Sequence, residues 1–163
     1  MNRFWTSSTV LATALGLMAC AEPAKETASV ASPSAAPVKP AYKKPVRMNG
    51  RGKIDAISLE EFYALRESGK AVVYDARPAI FYSLGHIAGA NSLPLHGSDE
   101  KIHDQEAAIK KALAEGKSLV VYCTSRTCPD ARSLAIHFSG FGYPVKIFSG
   151  GWDEWKAAGM PTE

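Results

Sequence analysis

Two cysteines five residues apart carry the most evident chemistry in the sequence. Cys123 follows the apolar run Ser118–Tyr122, and Cys128 precedes Pro129, a residue type favoured in first helical turns. This order predicts a buried strand that ends at Cys123, a short loop, and then a helix. Unpaired loop N–H groups and the positive end of a helix dipole both stabilise a thiolate. The pattern therefore predicts that Cys123 is a nucleophile.

The remaining chemistry-bearing side chains do not suggest a metal centre or a phosphatase. A zinc site needs a second pair of Cys or His at ligand spacing, and the four histidines are scattered along the chain. We expect neither a metal nor a cofactor. Phosphatase and arsenate reductase chemistry on a Cys loop needs an arginine six residues after the cysteine, where this chain has Pro129. Arg132 lies too far along the following helix to replace it.

The charge distribution argues against a nucleic-acid-binding domain. The net charge is +3, but residues 1–53 contain 8 Lys/Arg and 2 Asp/Glu, whereas residues 54–163 contain 11 and 14. The basic excess thus lies in the N-terminal segment, and the expected folded part is mildly acidic. Nucleic-acid-binding domains need basic clusters on a folded face, so we expect no nucleic-acid partner.

The N-terminus has the features of an export signal. Arg3 precedes an apolar run over residues 10–19 that is too short to span a bilayer. The run ends in Leu17-Met18-Ala19-Cys20, which resembles the lipobox of bacterial lipoproteins. That resemblance implies a signal peptide over residues 1–19 and a lipid anchor on Cys20; an ordinary signal peptide with an incidental Cys20 is the alternative. Because alanine and not aspartate follows the cysteine, the resemblance to lipoproteins also implies that Ala21 directs the protein to the outer membrane, where it faces the periplasm.

Composition divides the rest of the chain into a tether and one domain. Residues 20–52 are rich in Ala, Pro, Ser and Lys, and they offer too little apolar surface to offset the entropy of ordering. We expect a disordered linker there. Residues 53–163 are long enough for one globular core.

Strand and helix patterns alternate in that domain. We expect strands over 54–57, 71–75, 91–93, 118–122 and 145–148, and helices over 59–68, 99–114, 131–139 and after Gly151. Alternation of this kind indicates a parallel sheet covered by helices on both faces. Ligands bind beyond the carboxyl ends of the strands in such folds, and Cys123 stands at one of these ends.

Several short motifs in this domain together resemble the rhodanese family. They are Asp75-x-Arg77, Tyr82, Gly85-His86-Ile87, Gly89-Ala90, Asn91, Pro94, Val120-Val121-Tyr122-Cys123, Gly142-Tyr143, Gly150-Gly151-Trp152 and Trp155. The resemblance implies an α/β, rhodanese-like three-layer fold with a five-stranded, mostly parallel central sheet. It also implies sulfur transfer from a small anionic donor such as thiosulfate to a thiol or cyanide, through a persulfide on Cys123.

The resemblance places the substrate in the loop after Cys123. Thr124, Ser125, Arg126, Thr127 and Cys128 are the expected substrate-binding residues, with loop N–H groups and hydroxyls as donors and Arg126 as the cation. Arg126 stands where glycine is usual in the family, and Cys128 stands where arginine or serine is usual.

Cys128 leaves three functions open. It could be a resolving cysteine that attacks an oxidised or sulfur-loaded Cys123, form a structural disulfide, or be an inert thiol. The alternatives to a sulfurtransferase are therefore a thiol–disulfide redox protein and a non-catalytic rhodanese-like binding module.

Other conspicuous side chains have structural interpretations. We expect a structural ion pair between Asp75 and Arg77, a turn position for His86, and packing rather than partner binding for Ile80 and Phe81.

Overall fold

The computed structural model describes residues 51–163, and the predicted signal peptide, Cys20 and nearly all of the predicted linker lie outside them. Five strands form one sheet in the order β1-β5-β4-β2-β3, and every pairing between neighbours is parallel. The strands are β1 (Ile54–Ile57), β2 (Ala71–Asp75), β3 (Asn91–Ser92), β4 (Ser118–Tyr122) and β5 (Val145–Phe148). This confirms the predicted α/β fold with its five-stranded parallel sheet.

Six helices lie between and after these strands. They are α1 (Leu59–Glu67), α2 (Ala79–Ser83), α3 (Ser98–Asp104), α4 (Glu106–Ala114), α5 (Asp130–Gly140) and α6 (Gly151–Ala157). Ser58 and Glu61 form the predicted capping box at the start of α1. Within residues 51–163, no helix combines the length and the hydrophobicity that a membrane span requires.

Strand β4 lies in the middle of the sheet and contributes to two hydrophobic cores. Leu119 and Val121 pack into the core on the side of α3, α4 and α5, whereas Val120 and Tyr122 pack into the core that contains Phe62 and Trp155. This alternation follows from the two-residue period of a strand. Because β4 is covered on both faces, its carboxyl end is a rigid base for the loop that follows.

The single helix predicted over residues 99–114 is wrong. The structure has two helices, α3 and α4, which are separated at Gln105 with φ −95° and ψ 6°. The Gln105 side chain accepts a hydrogen bond from the Tyr74 hydroxyl at 3.2 Å. Burial of that phenol raises the pKa of Tyr74 to about 12. The sequence pattern of apolar residues continues through the break and does not reveal it.

Helix α2 was not predicted from the sequence. The prediction that Ile80 and Phe81 pack against the domain is wrong, because both side chains are exposed. Ile80 is 63% exposed, Phe81 is 52% exposed, and the nearby Leu84 is 77% exposed. Tyr82 is the residue of this helix that turns inward, and its hydroxyl donates to the Ala90 carbonyl at 2.7 Å. The short helix therefore presents its apolar residues to the outside.

Candidate active site

Cys123 lies immediately after β4 and is almost fully buried, with 2% of its surface exposed. Its sulfur is bonded to that of Cys128, and the two Cα atoms are 6.1 Å apart. The structure thus brings the predicted nucleophile and the predicted resolving cysteine together. The two residues are not equally exposed, because Cys128 is only partly buried.

Helix α6 holds the first part of the loop in place. The N–H groups of Trp152 and Asp153 donate to the carbonyls of Cys123 and Thr124, each at 2.9 Å. Gly151 has a φ of +66°, and a Cβ atom there would overlap the Cys123 carbonyl oxygen. A glycine is therefore required both for the conformation and for the close approach.

The rest of the loop leaves backbone donors available. The Cys128 N–H donates to the Ser125 carbonyl at 3.1 Å, which closes a tight turn. Within residues 51–163, the backbone N–H groups of residues 124–127 have no hydrogen-bond acceptor. Successive N–H groups of this kind can form a cradle for an anion. The hydroxyls of Ser125 and Thr127 lie 3.1 Å apart and hydrogen-bond to each other.

Arg126 has an acidic partner that the sequence did not reveal. Its Nη2 donates to Oε2 of Glu154 at 2.9 Å, and its side chain is 71% exposed. Glu154 comes from α6, which is 28 residues away in sequence. The predicted cation for the substrate is therefore partly neutralised in this structure.

A cavity of about 260 Å³ opens beside the loop. It is lined by Ser125, Arg126, Thr127, Cys128, Pro129, Ala131, Arg132, Ile147, Phe148 and Ser149. Four of the five predicted substrate-binding residues are present, whereas Thr124 and the nucleophile Cys123 are absent from the lining. Sequence reasoning missed Arg132 and Ser149. The position of Arg132 in the first turn of α5, directly after the loop, could have indicated that it lines the cavity. Ser149 reaches the cavity only because β5 pairs with β4, which the local sequence does not show.

Beneath the loop, the predicted Asp75–Arg77 ion pair is confirmed. Arg77 Nη2 lies 2.6 Å from Asp75 Oδ2, and both side chains are buried. The Tyr122 hydroxyl also donates to Oδ2 at 2.6 Å and accepts the Ile87 N–H at 3.1 Å. Burial acts to lower the pKa of Arg77, but its hydrogen bond and attraction to Asp75 outweigh burial and raise it. Burial, and then Asp75, raise the pKa of Tyr122.

His86 has the structural position that the sequence predicted. Its Nδ1 lies 3.0 Å from the Tyr82 carbonyl oxygen, and its ring stacks on the Tyr82 ring with centroids 3.7 Å apart. Its Nε2 lies 3.5 Å from a carboxylate oxygen of Glu163. These contacts join the turn after α2 to the C-terminal residues and leave His86 out of the cysteine loop.

Asp130 places a carboxylate close to both cysteines. One of its carboxylate oxygens and the sulfurs of Cys123 and Cys128 all lie within 4.8 Å of one another. Sulfurs that are bonded to each other cannot serve as thiolate ligands to a metal. Once the disulfide is reduced, the carboxylate of Asp130 opposes a thiolate at either cysteine.

Comparisons with known proteins agree with this fold. Residues 58–158 match the family model for the rhodanese-like domain. The chain is 31% identical over 112 residues to an HTH-type transcriptional regulator of Mycobacterium tuberculosis. The match covers 67% of this chain and 45% of the regulator. The chain thus spans less than half the length of this curated relative.

Solved structures with the same fold include several at or above 25% identity. A protein of Bacillus halodurans is 25% identical with a TM-score of 0.56, and the match covers 67% of this chain and 76% of that one. A thiosulfate sulfurtransferase of Pseudomonas aeruginosa is 26% identical with a TM-score of 0.51, and the match covers 68% of this chain and 20% of that one. Since the family model spans more than half of the sequence, the chain belongs to the family of rhodanese-like domains.

Proposed function

We propose that this protein is a sulfurtransferase that moves sulfane sulfur through a persulfide on Cys123. The observation that carries the proposal is the position of Cys123 at the carboxyl end of the central strand β4, next to loop N–H groups that have no acceptor within residues 51–163. Membership of the rhodanese-like family and the likeness to a thiosulfate sulfurtransferase support it.

The reaction starts from the reduced protein. The Cys123 thiolate attacks the outer sulfur of a donor such as thiosulfate, the donor's S–S bond breaks, and sulfite leaves with the bonding electron pair. The persulfide on Cys123 carries a negative charge that the N–H groups of residues 124–127 can bind. A thiolate or cyanide acceptor then attacks the outer sulfur and releases the Cys123 thiolate.

Intact-mass measurement of the reduced protein after incubation with thiosulfate tests this function. We expect a gain of one sulfur atom and formation of thiocyanate when cyanide is added. Cys123→Ser should abolish both, whereas Cys128→Ser should still load one sulfur. Sulfur transfer that persists in Cys123→Ser would refute the role of Cys123.

The disulfide itself favours a second candidate function, that of a thiol–disulfide redox protein. The structure has Cys123 and Cys128 in the oxidised form, which is one half of such a cycle. In this case thiosulfate would add no sulfur to the reduced protein. A reversible loss of two hydrogens, dependent on both cysteines, would then be the whole of its chemistry. No change in mass and unreactive thiols would indicate a non-catalytic binding module.

We further propose that the domain is tethered by lipid on Cys20 to the outer membrane and faces the periplasm. The sequence Leu17-Met18-Ala19-Cys20 supports this location. Expression of the full chain in a Gram-negative host with labelled fatty acid should label the wild type and leave Cys20→Ala unlabelled. Equal labelling of the two would exclude Cys20 as the lipid site.

A further inference from the structure

The two sulfurs of the disulfide differ in the access they give to an incoming thiol. Cys123 is 2% exposed and belongs to the core cluster with Leu119 and Val121. Cys128 lines the cavity beside the loop, and Cys123 does not. Thiol–disulfide exchange requires the attacking thiolate to reach one of the two sulfurs directly. The cavity therefore gives an incoming thiol access to Cys128 rather than to Cys123.

The cavity also has a basic character. Its lining includes Arg126 and Arg132 but no aspartate or glutamate. Arg126 is paired with Glu154, whereas Arg132 has no salt bridge within residues 51–163. The neighbouring cavity, of about 330 Å³, shares Arg126 but is also lined by Glu60 and Glu154 and not by Arg132. A ligand of negative charge therefore fits the cavity at Cys128 better than its neighbour.

One charge nearby acts in the opposite direction. The carboxylate of Asp130 lies within 4.8 Å of both sulfurs, although Asp130 is not part of the cavity lining. It repels an attacking thiolate and also any second negative group on the same molecule. A preference for ligands with a second negative group must therefore come from the arginines.

We propose that this cavity binds small thiols that carry a carboxylate or sulfonate, and that such a thiol reduces the disulfide by attacking Cys128. The anionic group pairs with Arg132, and the thiolate attacks Sγ of Cys128. The Cys123–Cys128 bond breaks, and its electron pair leaves on Cys123 as the thiolate. A second thiol molecule attacks the ligand sulfur in the mixed disulfide and releases Cys128. The net change oxidises two thiols to one disulfide and reduces the protein by two electrons.

The reduction of the disulfide at this site is a step beyond the proposed sulfur transfer. It rests on that function in one respect, namely that the released Cys123 thiolate then takes up sulfur. The first experiment measures the rate at which 2-mercaptoethanesulfonate, neutral 2-mercaptoethanol and cationic cysteamine reduce the oxidised full-length protein. Each rate is divided by the rate of the same thiol with a small neutral disulfide, which removes differences in intrinsic reactivity. We expect the sulfonate to be preferred over the neutral thiol by about fivefold at low salt.

Matched variants locate the source of that preference. The ratio compared is the normalised rate with 2-mercaptoethanesulfonate divided by the normalised rate with 2-mercaptoethanol. Arg132→Gln should bring this ratio close to one. Lys101→Gln, which removes an exposed lysine on α3, should leave it unchanged. A ratio of one in the wild type, or a ratio that survives in Arg132→Gln, would overturn the site.

The second experiment identifies the sulfur that is attacked. After brief reaction with 2-mercaptoethanesulfonate, freed thiols are blocked with iodoacetamide and the protein is digested with trypsin. Cleavage after Lys117, Arg126 and Arg132 places Cys123 and Cys128 in separate peptides. The mixed disulfide should be on the peptide 127–132 and the blocked thiol on 118–126. The reverse distribution would refute attack on Cys128. Sulfur loading is measured separately on pre-reduced protein, so the failure of one proposal leaves the other standing.

Discussion

Neutralising Asp130 should make the reduced Cys123 more reactive. Asp130 opens α5, and its carboxylate oxygen lies within 4.8 Å of the Cys123 sulfur. Replacing it with asparagine keeps the size of the side chain and removes the negative charge. This removes the carboxylate that lies close to the Cys123 thiolate, while the loop N–H groups that favour the thiolate remain.

The expected size of the effect follows from the distance. At 4.8 Å, two unit charges repel each other by about 0.9 kcal/mol in water and about 3.5 kcal/mol at an effective dielectric constant of ~20. Asp130 is half-buried, so the true value lies between these limits. A repulsion of about 1.4 kcal/mol corresponds to a tenfold larger thiolate fraction below neutral pH.

Alkylation by iodoacetamide measures that fraction, because the reagent is neutral and reacts with the thiolate. Because the thiolate also becomes a weaker nucleophile as its pKa falls, we expect Asp130→Asn to increase the alkylation rate of Cys123 by about three- to fourfold at pH 6, with the site read from the peptide 118–126. Asp104→Asn, an exposed change on α3, is the control and should have no effect. An unchanged or slower rate at Cys123 in Asp130→Asn would refute the electrostatic argument.

Two further changes test the support of the loop. Tyr122→Phe removes the hydroxyl that donates to Asp75 at 2.6 Å, so urea denaturation should show a loss of about 2–3 kcal/mol in unfolding free energy; a loss under 0.5 kcal/mol would contradict a stabilising role. Gly151→Ala should lower the thermal midpoint more than Gly159→Ala does, because both glycines have similar positive φ but only at Gly151 would a Cβ meet the Cys123 carbonyl. Equal losses would show that backbone conformation alone accounts for the effect.

The sequence predicted the sheet well because strand signals are local. Every strand except β3 (Asn91–Ser92) combines β-branched or aromatic residues with glycine or proline nearby, and the alternation with helices indicates that the strands are parallel. The break at Gln105 escaped prediction because the apolar period continues across it. Helix α2 escaped prediction because its inward contact depends on a single residue, Tyr82, whose hydroxyl donates to the carbonyl of Ala90, eight residues further along the chain.

For the candidate site, sequence patterns identified the loop but not its surroundings. The positions of Cys123 and Cys128 follow from a strand, a loop of known length and a helix start. Glu154 and Ser149 reach the loop only through the pairing of β4 with β5, which is a tertiary event. For this reason Arg126 was expected to be a free cation, whereas the structure pairs it with Glu154.

The disulfide imposes an order on the proposed chemistry. In the oxidised form, the Cys123 sulfur is bonded to Cys128 and is not available as a thiolate to attack a donor. Reduction must therefore precede sulfur loading. After loading, Cys128 is again the nearest thiol within residues 51–163, and its attack on the inner sulfur would restore the disulfide and expel hydrosulfide. Transfer to an external acceptor therefore competes with this internal attack. The lifetime of the Cys123 persulfide should consequently be longer in Cys128→Ser than in the wild type, and equal lifetimes would exclude Cys128 as a resolving cysteine.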